Sequence, residues 1–441
     1  MLDLTGILAG VPEHQEFLGL GALGERARAL VAEFPGQARL ETVGRSAEGR
    51  PIELLSVGHG RRPVLLVGVP HPNEPIGTLT IDFLARALCE RPELRDALDV
   101  TLYAIPVADP DGFALNEGWF GGTFSPLRYA LEFYRPPHRE QVEWSFPVDY
   151  KTLRFGTPSP ETATVMRVME RVRPELFYSL HNAGFCGVYF YMTRARPRLI
   201  AALHELVAVH GLPLHRGEPE APYLRTLTPA VYELFGIQDT YDYLERSLGE
   251  DPAPLIEAGT SSDDWLKRVC DAFSLVCELP YYTARALDDV SPAGCTRRDA
   301  VLRGVARASE VHDRAAAFFE RLGARVPEHR LTRSVREYLK KSPKRLAARR
   351  ADAEAPEYAR EATRAEAVDA GVCAVFYHAL YLGEIHRLAQ MVGDEAVAAD
   401  VHGHLASLMS DIAAESELTV LPLRPLVSVQ AGAALLALLT D

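Results

Sequence analysis

Apolar and polar positions follow two rhythms along this chain. Up to about residue 295, short apolar runs alternate with amphipathic stretches. Pro63 to Val69 is a continuous apolar run of strand length, the pattern of a strand buried on both faces. Val100–Ile105 and Leu176–Leu180 share that character. Strand-like pieces at Leu40–Val43 and Ile52–Val57 flank the turn Glu48-Gly-Arg-Pro51. Leu23, Ala27, Leu30 and Val31 fall at helical spacing before Pro35-Gly36, and Ile76–Leu88, Thr162–Val172 and Arg198–His210 also read as helices. Strands alternating with helices predict the α/β class: a mixed, mostly parallel sheet flanked by helices.

Beyond Thr296 the period is helical almost throughout. Arg297–Leu322, Val372–Met391, Glu395–Ala414 and Leu426–Leu439 are the expected helices. Between them, Arg325–Glu366 is densely charged and contains Lys340-Lys341-Ser-Pro-Lys344-Arg345; its basic run Arg330–Arg350 is expected to be a solvated helix face answered by later glutamates, with contact to an acidic partner or substrate tail as the alternative. At 441 residues the chain exceeds one typical core. The expected division is an α/β domain over residues 1–298 and an additional helical C-terminal region over 299–441.

Composition narrows the function classes. An apolar fraction of 47% belongs to a folded protein, and a net charge of −13 argues against nucleic acid as partner. Met1-Leu-Asp-Leu-Thr-Gly lacks the basic start and apolar core of a secretory signal, and Leu426–Leu439 is too short to span a bilayer, so no membrane partner is expected. Six cysteines scattered without Cys-x-x-Cys spacing fit a reduced compartment, hence a cytoplasmic expectation. Gly19-Leu-Gly-Ala-Leu-Gly24 has dinucleotide-site spacing but follows Glu13-His-Gln-Glu16 rather than a strand, and reads as a helix start.

The chemistry concentrates at strand ends. Val69-Pro-His71-Pro-Asn-Glu74-Pro follows the first buried strand and offers an imidazole and a carboxylate to one ion, a donor mixture that suits Zn²⁺. A third ligand must come from another strand end, and Leu176-Phe-Tyr-Ser-Leu180-His181 supplies it. Three protein ligands leave one position open for water, the arrangement of a catalytic zinc. Zinc would bring the pKa of that water toward neutrality, and Glu278, near the end of Phe273–Pro280, is the candidate to carry its proton.

These residues sit within a longer set of motifs. Val43-Gly-Arg-Ser-Ala-Glu-Gly49-Arg50-Pro-Ile52, His71-x-x-Glu74, Pro110-Asp-Gly112, Ser159-Pro-Glu-Thr162, Leu180-His181-Asn182, Gly259-Thr-Ser-Ser-Asp-Asp264-Trp265 and Cys277-Glu278-Leu279 occur in one order over residues 25–285. In this the chain resembles the zinc carboxypeptidase family of the A and B type. The resemblance implies an eight-stranded mixed α/β sheet, zinc on His71, Glu74 and His181, and Glu278 as general base and acid in peptide hydrolysis. It further implies Arg135, with Arg128 second, as the cation polarising the scissile carbonyl. Asn182 and Arg128 become candidates for the substrate side, and Asp263 becomes a pocket-floor carboxylate that would favour a cationic side chain.

The chain departs from the family at the substrate end. Where members carry an Asn-Arg clamp for a terminal carboxylate, this sequence has Glu143-Trp144, and Trp144 cannot provide a guanidinium fork. Arg139 or Arg154 would have to replace it. The usual tyrosine over the substrate corresponds to Ile256. The expected activity is therefore zinc-dependent cleavage of an amide in a small peptide or amino-acid conjugate. An N-acyl amino acid deacylase with the same zinc core, or a binding protein on this fold, are the alternatives.

Overall fold

The computed structural model describes residues 2–440. Strands β1 (Ala38–Arg45), β2 (Pro51–Val57), β3 (Arg62–Gly68), β4 (Val100–Ile105), β5 (Leu176–Phe185), β6 (Tyr189–Met192), β7 (Thr226–Thr228), β8 (Val231–Glu233), β9 (Phe273–Thr283) and β10 (Thr419–Val420) form one sheet. Their order is β1-β2-β4-β3-β5-β9-β6-β8-β7, with β10 also paired to β9. The central strands β4, β3, β5 and β9 run parallel, while β1, β2 and the β9–β6 pair introduce antiparallel edges. The α/β class read from the sequence is present. The sheet has ten strands where the resemblance implied eight, and β10 comes from the helical end of the chain.

Burial on both faces explains the unbroken apolar run of β3. Val64 and Leu66 enter a cluster with Leu79 and Leu84 of helix α1 (Ile76–Glu90). Leu65 and Val67 enter the opposite cluster with Val165, Val168 and Met169 of helix α2 (Pro160–Val172). Two-residue alternation thus survives in space although every residue is apolar. Helices flank the sheet on both sides, and the strand ends that carry the chemistry open at one edge.

The C-terminal part contains α3 (Arg297–Leu322), α4 (Arg330–Asp352), α5 (Ala374–Met391), α6 (Glu395–Ser416) and α7 (Leu423–Leu439). This part is mostly helical but also contributes β10 and a short strand at Glu361–Thr363, and its packing is continuous with the sheet. Leu180 and Phe185 of β5 share a core with Phe376 of α5 and Leu426 of α7. Gly383 allows the approach of α5: a Cβ there would lie 1.7 Å from the Ala130 carbonyl oxygen.

The charged helix α4 departs from expectation in a useful way. Leu331, Val335, Tyr338, Lys341 and Ala348 are buried, and its cations answer acids earlier in the chain rather than later ones. Arg330 pairs with Glu48 and Asp111, Arg333 with Glu140, Lys340 with Glu257, Lys344 with Glu250 and Arg349 with Glu218. Charge density hid a buried face, because the pairing partners lie more than 80 residues away in sequence. Pro343 lies inside the helix and cannot donate to the Leu339 carbonyl, which receives His312 Nε2 at 3.2 Å instead.

Candidate metal centre

His71 and Glu74 occupy the connection between β3 and α1. Val69 opens it with φ 55°, a strained value for a β-branched residue, and turns the chain out of the strand. Gly77 lets the first turn of α1 lie on β5: an added Cβ would meet Leu180 Cβ at 2.7 Å. His181 follows Leu180 in that strand. Glu278 is its direct neighbour in the parallel β5–β9 ladder. One ligand atom from each of His71, Glu74 and His181 lies within 4.8 Å of the others, and all three residues are buried. His181 Nδ1 is 3.0 Å from Glu74 Oε2 and 3.6 Å from Glu278 Oε1.

The electrostatics of this cluster call for a cation. Burial works against a charged His181, yet the bond to Glu74 and the nearby carboxylates of Glu278 and Glu143 outweigh it and raise its pKa to about 9. Burial pushes the Glu278 carboxyl up to about 8, with His181 opposing and Glu74 reinforcing. His71 is held well below its usual range by burial first, and its Nδ1 is a buried ring nitrogen with no hydrogen-bond partner. A neutral imidazole with an unused nitrogen, beside crowded carboxylates, is the donor set that zinc takes.

Outer contacts orient these ligands. Ser179 Oγ lies 2.9 Å from His181 Nε2, leaving Nδ1 toward Glu74. Ser179 also donates to Glu143, whose other oxygen accepts Ser262 N–H and Oγ–H at 3.0 and 2.7 Å. The Gln430 amide of α7 donates to the His181 carbonyl at 3.1 Å and accepts from Thr80. Gln430 was visible as a polar residue in an apolar helix, a signal for a buried hydrogen bond. Its partner was not, because nothing local joins residue 430 to residue 181.

Arg135 stands at the cluster, its guanidinium 3.0 Å from Glu74 Oε1 and 29% exposed. Its backbone N–H donates to Glu384 of α5 at 3.2 Å. Trp144 lies half-buried on the rim between His138 and Phe235, at centroid distances of 6.2 and 5.7 Å. Other expected residues go elsewhere. Asn182 spends its side chain on the fold: Oδ1 accepts from Ile76 N–H and the amide donates to the Leu279 carbonyl, so it positions His181 and Glu74 rather than facing substrate. Arg128 is turned onto the Gly118 carbonyl. Asp263 is buried with Lys267 Nζ 2.6 Å away, so its charge already has a partner in its own helical turn. Glu143 lies beneath His181 rather than in a clamp. Ile256 is core, its carbonyl accepting Lys341 Nζ at 3.0 Å. Arg154 is bonded to its own hairpin, and Arg139 is exposed.

A mixed α/β sheet thus carries at its strand ends a buried His/Glu/His cluster that could hold a metal ion. The family model for zinc carboxypeptidases matches residues 25–121. Carboxypeptidase B of Astacus astacus is 31% identical over 90 residues, covering 19% of this chain and 30% of that protein. An inactive metallocarboxypeptidase of Ajellomyces dermatitidis is 29% identical over 123 residues, covering 25% and 20%. A solved carboxypeptidase A from Helicoverpa armigera superposes with TM-score 0.37 at 16% identity, covering 63% of this chain and 69% of that one. Over residues 25–121 the chain is similar to the zinc carboxypeptidase family. It spans less than a third of the length of these curated relatives.

Proposed function

We propose that this protein is a zinc-dependent hydrolase that cleaves an amide bond in a small peptide or amino-acid conjugate. The observation that carries the reading is the convergence of His71, Glu74 and His181 with the Glu278 carboxylate 3.6 Å from His181 Nδ1. His71, Glu74 and His181 would hold zinc, which would supply Lewis-acid chemistry to a carbonyl and a water. Glu278 has the position and the raised pKa to take a proton from the attacking water and return it to the leaving nitrogen. Arg135 brings a partly exposed guanidinium to the same spot, where it opposes negative charge developing on the carbonyl oxygen. Asn182 and Ser179 hold the ligands in register while this happens.

Trp144 and the buried Glu143 leave the family's clamp position without a cation, which favours an atypical substrate over a generic protein C-terminus. That missing clamp, together with a relative named as inactive, also favours a second reading as a ligand-binding protein. Metal analysis of wild type beside His181→Ala, followed by a panel of peptides and N-acyl amino acids, separates these. About one zinc per chain is expected, lost in the variant. Chelation should abolish hydrolysis, and Glu278→Gln should lower it by roughly 10²–10⁴-fold while keeping the metal. Bound zinc without turnover of any amide would move the assignment to the binding protein. No zinc in either protein would remove both the cofactor and the reaction.

A further inference from the structure

Two exposed side chains of opposite charge near the candidate metal centre make no ion pair among the described residues. The first is Glu220. Tyr189 is the ladder neighbour of Glu278, and Tyr191 projects from the same face of β6 two residues on. The Tyr191 hydroxyl donates to Glu220 Oε2 at 2.7 Å. This aims an exposed carboxylate along the wall that carries Glu278, and Glu220 makes no ion pair among the described residues.

The second charge is Arg345 on α4. Lys341, one turn before it, is buried and bonded to the Ile256 carbonyl. Arg349, one turn after it, bonds Glu218 at 2.6 Å, and Asp352 accepts from the Tyr243 hydroxyl. Residues at that spacing share a helix face. Arg345 is thus on the face applied to the α/β part, yet it is exposed and makes no hydrogen bond or ion pair among the described residues. Glu337, two turns before it, accepts the His138 N–H, so Arg345 lies along α4 between the contacts to His138 and to Tyr243. Arg345 is the leading charge acting on His138, which burial first of all holds well below the usual histidine range. Burial raises the Tyr223 phenol to about 12, Glu220 adding to the rise and Arg345 opposing it, so both charges bear on one ring.

An aromatic wall connects the two. Tyr223 packs on Phe235 at 5.9 Å, and Phe235 on Tyr191 at 5.8 Å and on Trp144 at 5.7 Å. An apolar, low-dielectric surface between opposite charges preserves their fields better than open water would. We propose that this cleft selects short substrates bearing both a cationic and an anionic group, Glu220 receiving the ammonium, Arg345 the carboxylate, and the aromatic wall the side chain between them. The substrate class is an unblocked dipeptide-like amide. This rests on the amide-hydrolase reading for its chemistry but not for its binding test. Arg345 belongs to the C-terminal helices, so the anion site is assembled by a part of the chain beyond the matched motifs.

The test is calorimetric binding to Glu278→Gln protein supplied with zinc, using alanyl-phenylalanine, its N-acetyl form and its C-terminal amide. The free dipeptide should bind at least about tenfold more tightly than either blocked form. Adding Glu220→Gln should erase the penalty for acetylation only, and Arg345→Met the penalty for amidation only, with Arg345→Lys restoring most of it. Both positions are exposed, so these variants are expected to fold. Equal binding of free and blocked forms, penalties that survive both substitutions, or no binding of the free dipeptide would each overturn the proposal. Charge-selective binding with no hydrolysis by wild type would retire the hydrolase reading alone. Hydrolysis by wild type without charge-selective binding would retire this one alone.

Discussion

The metal centre and the walls around it come from different regions of the chain, held by different physics. His71, Glu74, His181 and Glu278 stand at or beside the ends of β3, β5 and β9, where parallel strands buried on both faces allow little movement. The groups that fix the surrounding loops belong mostly to α4 and α5. Glu337 accepts the His138 N–H, Lys341 reaches the Ile256 carbonyl, and Glu384 accepts the Arg135 N–H. The Tyr377 hydroxyl accepts the N–H groups of Gly184 and Phe185. One region therefore places the candidate metal ligands and Glu278, and the other fixes the loops around them. Disturbing the first should change the chemistry, and disturbing the second should change stability and access while the metal stays bound.

The largest effect on the helical side is expected at Lys341. Its side chain is 2% exposed and its ammonium lies 2.6 Å from Glu337 Oε1. Lys341→Met strands a mostly buried carboxylate and an unpaired carbonyl, which should cost about 2–4 kcal/mol, toward the lower part of the range for broken buried pairs because Glu337 is 18% exposed. Denaturant unfolding measures it. Adding Glu337→Gln should recover part of the loss, and zinc content should remain that of wild type. Loss of zinc along with stability would break the division between the two regions.

Glu384 sharpens the same comparison through pH. It is fully buried, and burial raises its pKa from 4.5 to about 8, against opposition from Ser334 and the Arg135 N–H. A carboxyl with a raised folded pKa binds its proton more tightly folded than unfolded. Folding carries no penalty from it below about pH 4.5, loses stability progressively as pH rises to about 8, and stays at the lower level above that. Glu384→Gln keeps an acceptor for Arg135 N–H and removes the titration. The variant should be less sensitive than wild type across that window, by on the order of 3 kcal/mol at its alkaline end. Thermal unfolding at several pH values checks this, and parallel pH profiles for both proteins would defeat it.

The division also explains what was legible in the sequence. The His71, Glu74 and His181 cluster that could hold a metal, Glu278 and the strands that carry them follow local rules: apolar runs of strand length, each leading to a ligand-type residue. Arg297–Leu322 was readable for the same reason, since its period and its Thr296 cap are local. Long-range pairing was not readable. Asn182 belongs to a motif that suggested substrate contact, but its side chain bonds to α1 and β9. The density of cations in α4 suggested solvent exposure, and only the fold shows distant acids meeting them. Gln430 could be marked as out of place in α7, but its partner could not be named.

A smaller effect is expected from Gln430→Leu. The substitution removes the acceptor for Thr80 and the donor to the His181 carbonyl. Two buried groups losing partners should cost about 1–3 kcal/mol, partly offset by the apolar surroundings of α7. This contact runs from the helical region directly to a ligand strand, so weaker zinc binding is also expected. Competition with a chelator measures it. An unchanged zinc affinity would mean that β5 holds His181 without help from α7.

The smallest effect should come from Arg333 and Glu140. Their two contacts of 2.8 and 3.0 Å form a bidentate pair that ties α4 to the loop ahead of Trp144. The geometry is good, but the side chains are 37% and 29% exposed, and water and salt screen such pairs. Arg333→Met should therefore cost no more than about 1 kcal/mol, and less at high salt. The long side chain also covers apolar surface, so a methionine is the appropriate replacement: it keeps much of the packing and removes only the charge. If stability falls by more than this at low and high salt alike, the loop depends on α4 through packing rather than charge. If the loss stays small while affinity for small substrates changes, the pair sets the position of the Trp144 wall without stabilising the fold. That outcome would locate control of access in the helical region most directly, because the metal ligands and their strand ends would be untouched.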